Sequence, residues 1–310
     1  MKKSIQNPSD LRFAFFGTPE LAVTVLEELS GAGFTPALVV TRPDAPVGRG
    51  NVLTPPPVKV WAEAHNIPVL QPAKLTDDVI EECRTSDVLQ EGGWDVFVVA
   101  AYGKILPQKL LDIPAHGTLN VHPSLLPRLR GPSPIRSAIM TGERETGVTI
   151  MLLDAEMDHG HIIEQEFVDI PEWPPRASEL EDTLAHEGGR ILAETLLPWV
   201  RGEIAAQEQD HAQATYCKTI KKEDGLIDLA DDPQKNLLKI RALEGWPNAY
   251  TFFERNGQKI RVQITDAHLD GDSLVIDTIR PEGKRDMPYA DFLRSGAIAA
   301  IPPTPLSSSS

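Results

Sequence analysis

Cysteine is nearly missing: Cys83 and Cys217 are the only two among 310 residues. Two thiols so far apart support neither a disulfide framework nor a cysteine-based zinc site, so free thiols in a reducing compartment are expected. No apolar run approaches the roughly 18 residues of a transmembrane helix, and Met1-Lys2-Lys3-Ser4 is not followed by an apolar signal segment. These absences point to a cytoplasmic protein with no membrane partner. An excess of positive charge is lacking as well. The net charge of −15 argues against nonspecific nucleic-acid binding, while leaving room for a local basic patch. Residues 201–310 carry 14 Lys and Arg against 17 Asp and Glu, so the acidity sits mainly in the first 200 residues, with 16 against 28. Two motifs are also absent. Gly17 stands alone where a G-x-G-x-x-G would follow the first strand, which removes the nicotinamide-dinucleotide reading. His159 and His161 have neither an H-E-x-x-H helix nor a cysteine pair to complete a zinc site, and no metal is expected.

What is present is a globular composition, with 41% hydrophobic residues and a length suited to two domains. Residues 11–16 read as a strand ending at Gly17-Thr18-Pro19. Leu21, Ala22, Val25, Leu26 and Leu29 then recur at helical spacing, and 35–41 is the next strand. This βαβ opening implies a parallel sheet. Residues 42–57, RPDAPVGRGNVLTPPP, form a long loop without structure of its own, expected to be functional because Arg49 between two glycines can swing towards phosphate. A helix at 58–65, a strand at 67–70 and a helix at 77–82 follow, and 85–93 is ambiguous. The apolar run 96–101 suits a strand covered on both faces and leads directly into Tyr102-Gly103-Lys104. Further strands are expected at 117–122, 146–153 and 162–170, a helix from Pro132 to about 140, and a helix over 178–200. Residues 201–214, polar and holding three glutamines, read as a linker. Beyond them come a helix at 233–243 and short strands at 250–255, 259–264 and 273–278, with Asn256-Gly257 as a hairpin turn. A small β-barrel-like domain is implied, followed by a disordered tail over 301–310.

The chemistry concentrates in Asn120-Val121-His122-Pro123-Ser124-Leu125-Leu126-Pro127-Arg128-Leu129-Arg130-Gly131. Alternate residues of a strand share a face, so Asn120 and His122 can point into one cleft. A histidine titrating near 6.5 can take a proton from an attacking nucleophile, a carboxylate such as Asp158 can support its charged form, and an amide can donate to an oxygen on which charge builds. That set suits acyl transfer to an amine. Ser124 lies outside a G-x-S-x-G elbow and reads as a turn cap rather than a nucleophile. Arg128 and Arg130 are open between an anion site at a helix start and ordinary solvated charges. Lys218, Lys221, Lys222, Lys239, Arg241, Lys259 and Arg261 form a basic set whose interleaved acids leave a merely solvated surface as the alternative.

The run NVHPSLLPRLRGPSPI with the downstream MDHG resembles the folate-dependent formyltransferases. FFGTPELAV, RPDAPVGRG, VVAAYGKILP, GVTIMLLDAEMDHG, ATYCKTIKKEDGLIDL, IRALEGWPNAY and PEGKRDMPYADFLRSG extend the likeness along most of the chain. The resemblance implies an α/β fold: a Rossmann-like catalytic domain with a mostly parallel sheet over 10–200, a linker over 201–214, and a smaller OB-like β-barrel that binds tRNA over 215–300. It implies transfer of the formyl group of 10-formyltetrahydrofolate to the α-amino group of initiator methionyl-tRNA by a monomer. Asn120, His122 and Asp158 match the family's catalytic trio. Tyr102 and Gly103 match the loop near the pterin, and Ser124, Leu125, Leu126 and Pro127 the segment beside the folate. Arg49, with Arg42 at the start of the same loop, and Lys218, Lys221 and Lys222 are assigned to tRNA. The implied mechanism is direct attack by the neutral amine, with the oxyanion stabilised by Asn120 and a protonated His122, and Asp158 supporting the imidazolium. The chain departs from the family pattern at Asn51-Val52, where basic residues are usual, and at Ser137, where an aromatic is common. Two rival readings are an N-formyltransferase acting on a nucleotide-linked amino sugar, and a non-catalytic tRNA- or folate-binding protein.

Overall fold

A computed structural model describes residues 5–48, 50–85, 93–255 and 257–299. Strand β1 (Phe13–Gly17) leads through helix α1 (Glu20–Gly31) to β2 (Leu38–Val40) as the expected βαβ unit. On α1, Ala22, Val25, Leu26 and Leu29 are buried, the i, i+3, i+4, i+7 stripe that turns one helical face to the sheet. Next come a short hairpin of β3 (Ala45–Val47) and β4 (Val52–Thr54), helix α2 (Pro57–Ala64), β5 (Val69–Leu70), α3 (Asp77–Thr85), β6 (Val96–Ala100), α4 (Gln108–Leu111) and β7 (Thr118–His122). Helix α5 (Pro134–Thr141), β8 (Thr146–Leu152), β9 (Ile162–Val168) and the long α6 (Ala177–Val200) follow.

The first sheet has seven strands in the order β5-β2-β1-β6-β7-β8-β9. Its strands from β5 to β7 are parallel, and β8 and β9 add an antiparallel edge. Every residue of β1 and β6 is buried, as strands covered by helices on both faces require. Each large apolar side chain there, such as Phe13, Phe15, Phe16 or Phe97, contributes roughly 1.5–3 kcal/mol. The carboxyl ends of β1, β6 and β7 therefore share one edge, where ligands of such sheets bind.

The second sheet is antiparallel. Helix α7 (Pro233–Ala242), capped by Asp232 through the Lys235 N–H at 2.8 Å, precedes β10 (Tyr250–Arg255), β11 (Gln258–Asp270), β12 (Ser273–Pro281), β13 (Met287–Pro288), helix α8 (Tyr289–Arg294) and β14 (Ile298–Ala299). The sheet order is β13-β12-β11-β10-β14. Phe253, Val262, Ile264, Ile279 and Phe292 fill its core. By internal packing the chain divides into two units. One comprises residues up to Pro134 with Glu145–Asp169 and Glu181–Cys217; the other comprises Ile135–Arg144, Ile170–Leu180 and residues from Lys218 onward.

Several expectations change. The loop 42–57 contains the β3–β4 hairpin, too short and too rich in Pro and Gly to leave an alternating pattern. The helix expected from Pro132 begins at Pro134, because the Ser133 N–H is committed to Cys217 Sγ at 3.2 Å. Strand β11 runs well past 264, hidden by register shifts between Ile264 and Ala267 that break the period of two. The expected turn residue Asn256, residues 86–92 of the ambiguous stretch and the tail 301–310 lie outside the described residues. Cys83 and Cys217 are both buried. Among the described residues no helix is long and apolar enough to cross a membrane.

Candidate active site

Asn120 and His122 lie on one face of β7, opposite Met151 and Thr149 of β8. His122 is buried, and its Nε2 meets the Leu129 carbonyl at 3.2 Å. Its Nδ1 faces Asp158 Oδ1 at 3.8 Å. With the Nε2 proton given to Leu129, Nδ1 holds the free lone pair, and a proton arriving there lands between imidazole and carboxylate. Burial holds the His122 pKa below its ordinary 6.5, against the pull of Asp158 and the Leu129 carbonyl, and Arg130 pushes the same way as burial.

Asp158 comes from the loop between β8 and β9. Its backbone adopts the left-handed conformation (φ 50°), at a cost of roughly 1 kcal/mol that an aspartate tolerates better than most residues. Its Oδ2 accepts the Gly131 N–H at 2.6 Å. Gly131 itself has φ 118°, and a Cβ there would lie 2.5 Å from the Cys217 carbonyl, so only glycine fits. Asn120, by contrast, is half-buried, and its side-chain amide has no hydrogen-bond partner among the described residues. A donor left free beside a wired His–Asp pair can meet a developing oxyanion.

The Ser124–Pro127 turn is tied to β8 and β9. Ser124 Oγ donates to the Arg128 carbonyl at 2.7 Å, the cap expected of it. Thr149 Oγ1 donates to the Ser124 carbonyl at 2.6 Å and accepts the Leu126 N–H at 3.2 Å, while Gln165 Nε2 reaches the Leu126 carbonyl at 2.9 Å. Leu126 is buried, and Leu125 and Pro127 are partly so. Tyr102 sits in the core with 1% exposure, its ring edge-on to Phe16, and burial pushes its phenol up to about 12. A ligand at this edge thus meets the backbone of the 102–103 loop rather than the phenol. Gly103 (φ 72°) accepts at its carbonyl from Arg42 Nη2 at 2.5 Å, and a Cβ on it would strike that guanidinium.

Arg130 resolves differently from either sequence expectation. It is 2% exposed, neither a solvated charge nor an open anion site. Its Nε and Nη2 donate to Gln209 Oε1 at 3.2 and 2.6 Å, and Nη2 also reaches His211 Nδ1 at 2.8 Å. Sequence reasoning missed Gln209, since one glutamine among three in a polar stretch carries no periodic signal. Arg128 is partly exposed and pairs with Glu145 at 3.4 Å. Arg49 lies outside the described residues. Lys218, Lys221 and Lys222 are exposed and belong to the other unit. The first unit thus brings together Asn120, His122, Asp158 and the Ser124–Pro127 turn, with Arg42 against Gly103. Among the described residues no group of three or more His, Cys, Asp or Glu could hold a metal ion.

Comparison with known proteins bears on the family and the fold. A family model described as formyl transferase matches residues 11–196, and one described as formyl transferase, C-terminal domain, matches 219–272. A curated methionyl-tRNA formyltransferase from Chloroflexus aurantiacus is 49% identical over 265 residues, covering 85% of this chain and 83% of the relative. Among solved structures, the methionyl-tRNA formyltransferase from Clostridium thermocellum superposes with a TM-score of 0.56 at 17% identity, over 87% of this chain and 98% of that one. An N-formyltransferase from Helicobacter canadensis, in complex with folinic acid and dTDP-3-aminofucose, gives 0.59 at 18%, over 86% and 95%. At such identities the two structures speak for the fold.

Proposed function

The chain belongs to the formyl transferase family, and we propose that it transfers the formyl group of 10-formyltetrahydrofolate to the α-amino group of initiator methionyl-tRNA. The observation that carries this reading is the 49% identity to a curated methionyl-tRNA formyltransferase across 85% of the chain, which favours a tRNA acceptor over a nucleotide-linked sugar. The geometry supplies the chemistry. A neutral amine, whose free α-amino counterpart titrates near roughly 8, attacks the formyl carbon. As the tetrahedral centre forms, the Asn120 amide donates to its oxyanion. His122 takes up the amine proton, by way of water, at Nδ1, and Asp158 stabilises the imidazolium so formed. The same proton is then available to the departing folate nitrogen. Protein nucleophile and metal are both unnecessary to this sequence of steps.

We assign the pterin to the edge formed by Tyr102, Gly103 and the Ser124–Pro127 turn. Arg42 and Arg49 of the sequence stretch 42–57, and the exposed Lys218, Lys221 and Lys222, are assigned to the tRNA. We take residues 10–200 as the catalytic domain, 215–300 as the tRNA-binding domain and 201–214 as the connection between them. Because the proposed reacting groups all come from one chain, a cytoplasmic monomer suffices. The test is formylation by purified protein with 10-formyltetrahydrofolate: initiator methionyl-tRNA is expected to be modified and elongator methionyl-tRNA largely spared. Transfer only to an amino-sugar nucleotide, or none at all, overturns the assignment.

A further inference from the structure

Residues 207–217, expected as part of a passive linker and its sequel, lie along the first unit as a strap. Gln207 exchanges two backbone hydrogen bonds with Ile162, both at 2.8 Å. Farther on, Thr215 accepts the Arg130 N–H at 2.9 Å and, through Oγ1, the Leu129 N–H at 2.9 Å, while the Cys217 N–H reaches the Arg130 carbonyl at 2.8 Å. Between these anchors Gln209 is 4% exposed. Its Nε2 donates to the carbonyls of Asp158 at 2.9 Å and Gly160 at 2.7 Å. We propose that Gln209 is a positioning residue for formyl transfer, holding the loop of Asp158 so that the carboxylate meets His122.

This inference rests on the formyl-transfer reading. It follows from how fully the side chain is committed. Arg130 donates two hydrogen bonds to Oε1, so the amide has one permitted orientation, and its donors must face the loop. Among the described residues no carboxylate lies within ion-pair distance of Arg130, so Gln209, His211 and Tyr216 of the strap are its polar partners. The loop has no slack of its own. Asp158 is already left-handed, and a Cβ at Gly160 would collide with the Leu152 carbonyl. A displacement at the carbonyls of 158 and 160 therefore moves the carboxylate. Asp158 and Arg130 are the charged groups acting on His122. Behind them His159 stacks on His211 at 4.1 Å and bonds Asp154 at 2.7 Å.

Two variants separate positioning from space-filling. Gln209→Glu keeps the acceptor for Arg130 and loses both donors; Gln209→Met keeps the length and loses both functions. The readouts are kcat and KM for initiator methionyl-tRNA and 10-formyltetrahydrofolate from about pH 5 to 9, with an NMR titration of the His122 ring in the free protein. Both variants are expected to lose about tenfold or more in kcat and to change either KM by less than about threefold, and Gln209→Met, which sets no new charge against Arg130, is expected to titrate His122 at lower pH than the wild type. Gln209→Asn, a shorter donor, should lie between and serves in their place if either fails to fold. A Gln209→Met enzyme with wild-type kcat and an unmoved His122 titration overturns the inference. A wild type that formylates no methionyl-tRNA fails the function instead, and the titration still judges the strap.

Discussion

Two regions of the first unit are assigned to substrate, and they are built in opposite ways. The turn from His122 to Gly131 is largely buried and fastened to β8, to the Asp158 loop and to the strap, down to an arginine with 2% exposure. The β3–β4 hairpin exposes Val47, Val52 and Leu53 by more than half and is fixed mainly at its base. There Asp44 accepts from Gln71 at 2.7 Å and from Lys59 at 2.9 Å, which holds its carboxyl below the usual range. Proton transfer and oxyanion stabilisation depend steeply on distance, so their groups must be placed before substrate arrives. Contact with a large polyanion depends on charge and area, and a surface element suffices. Mutations should therefore divide cleanly: the turn governs kcat, the hairpin governs KM for tRNA.

The largest effect is expected at His122. His122→Ala should lower kcat by about a hundredfold to ten-thousandfold while folate affinity, measured by calorimetry, stays within about threefold. Near-normal turnover would remove His122 from the mechanism. Asn120→Ala comes next, at about a hundredfold in kcat, and an equal rise in KM instead would make Asn120 a binding residue. At the hairpin, Asn51→Lys should leave kcat unchanged and improve KM for tRNA a few-fold, steepening its salt dependence by about one charge. A change in kcat there would erase the contrast between the regions. Smallest is a stability effect. His122 is held below 6.5 in the folded state, so the unfolded chain binds the proton more readily. That penalty is absent well above 6.5 and grows as pH falls through it. Between about pH 7.5 and 5 the wild type should lose more of its melting temperature than His122→Gln does, and parallel losses would contradict the burial argument.

Much of this was legible in the sequence, for identifiable reasons. The runs at β1 and β6 are apolar because both faces are covered, and the spacing of Asn120 and His122 on a strand already put them on one face. Asp158 could be set beside His122 by its chemistry and by the resemblance but not by spacing, since β8 and its return loop separate them. What stayed hidden obeys no local pattern. Three-residue strands in the hairpin are shorter than any periodicity, the irregularity in β11 shifts its register, and Tyr102 follows a strand so closely that its burial depends on Phe16 and its neighbours. Arg130 and Gln209 were the least visible, because a buried arginine satisfied by a distant glutamine looks in sequence like two surface residues.

The most direct test is a single-turnover comparison of wild type, His122→Ala and Val52→Ser with initiator methionyl-tRNA and 10-formyltetrahydrofolate both saturating. The rate is expected to collapse by about a hundredfold or more in His122→Ala and to stay at the wild-type value in Val52→Ser; equal rates in all three, or a collapse in Val52→Ser alone, would contradict the assignment of chemistry to the buried turn.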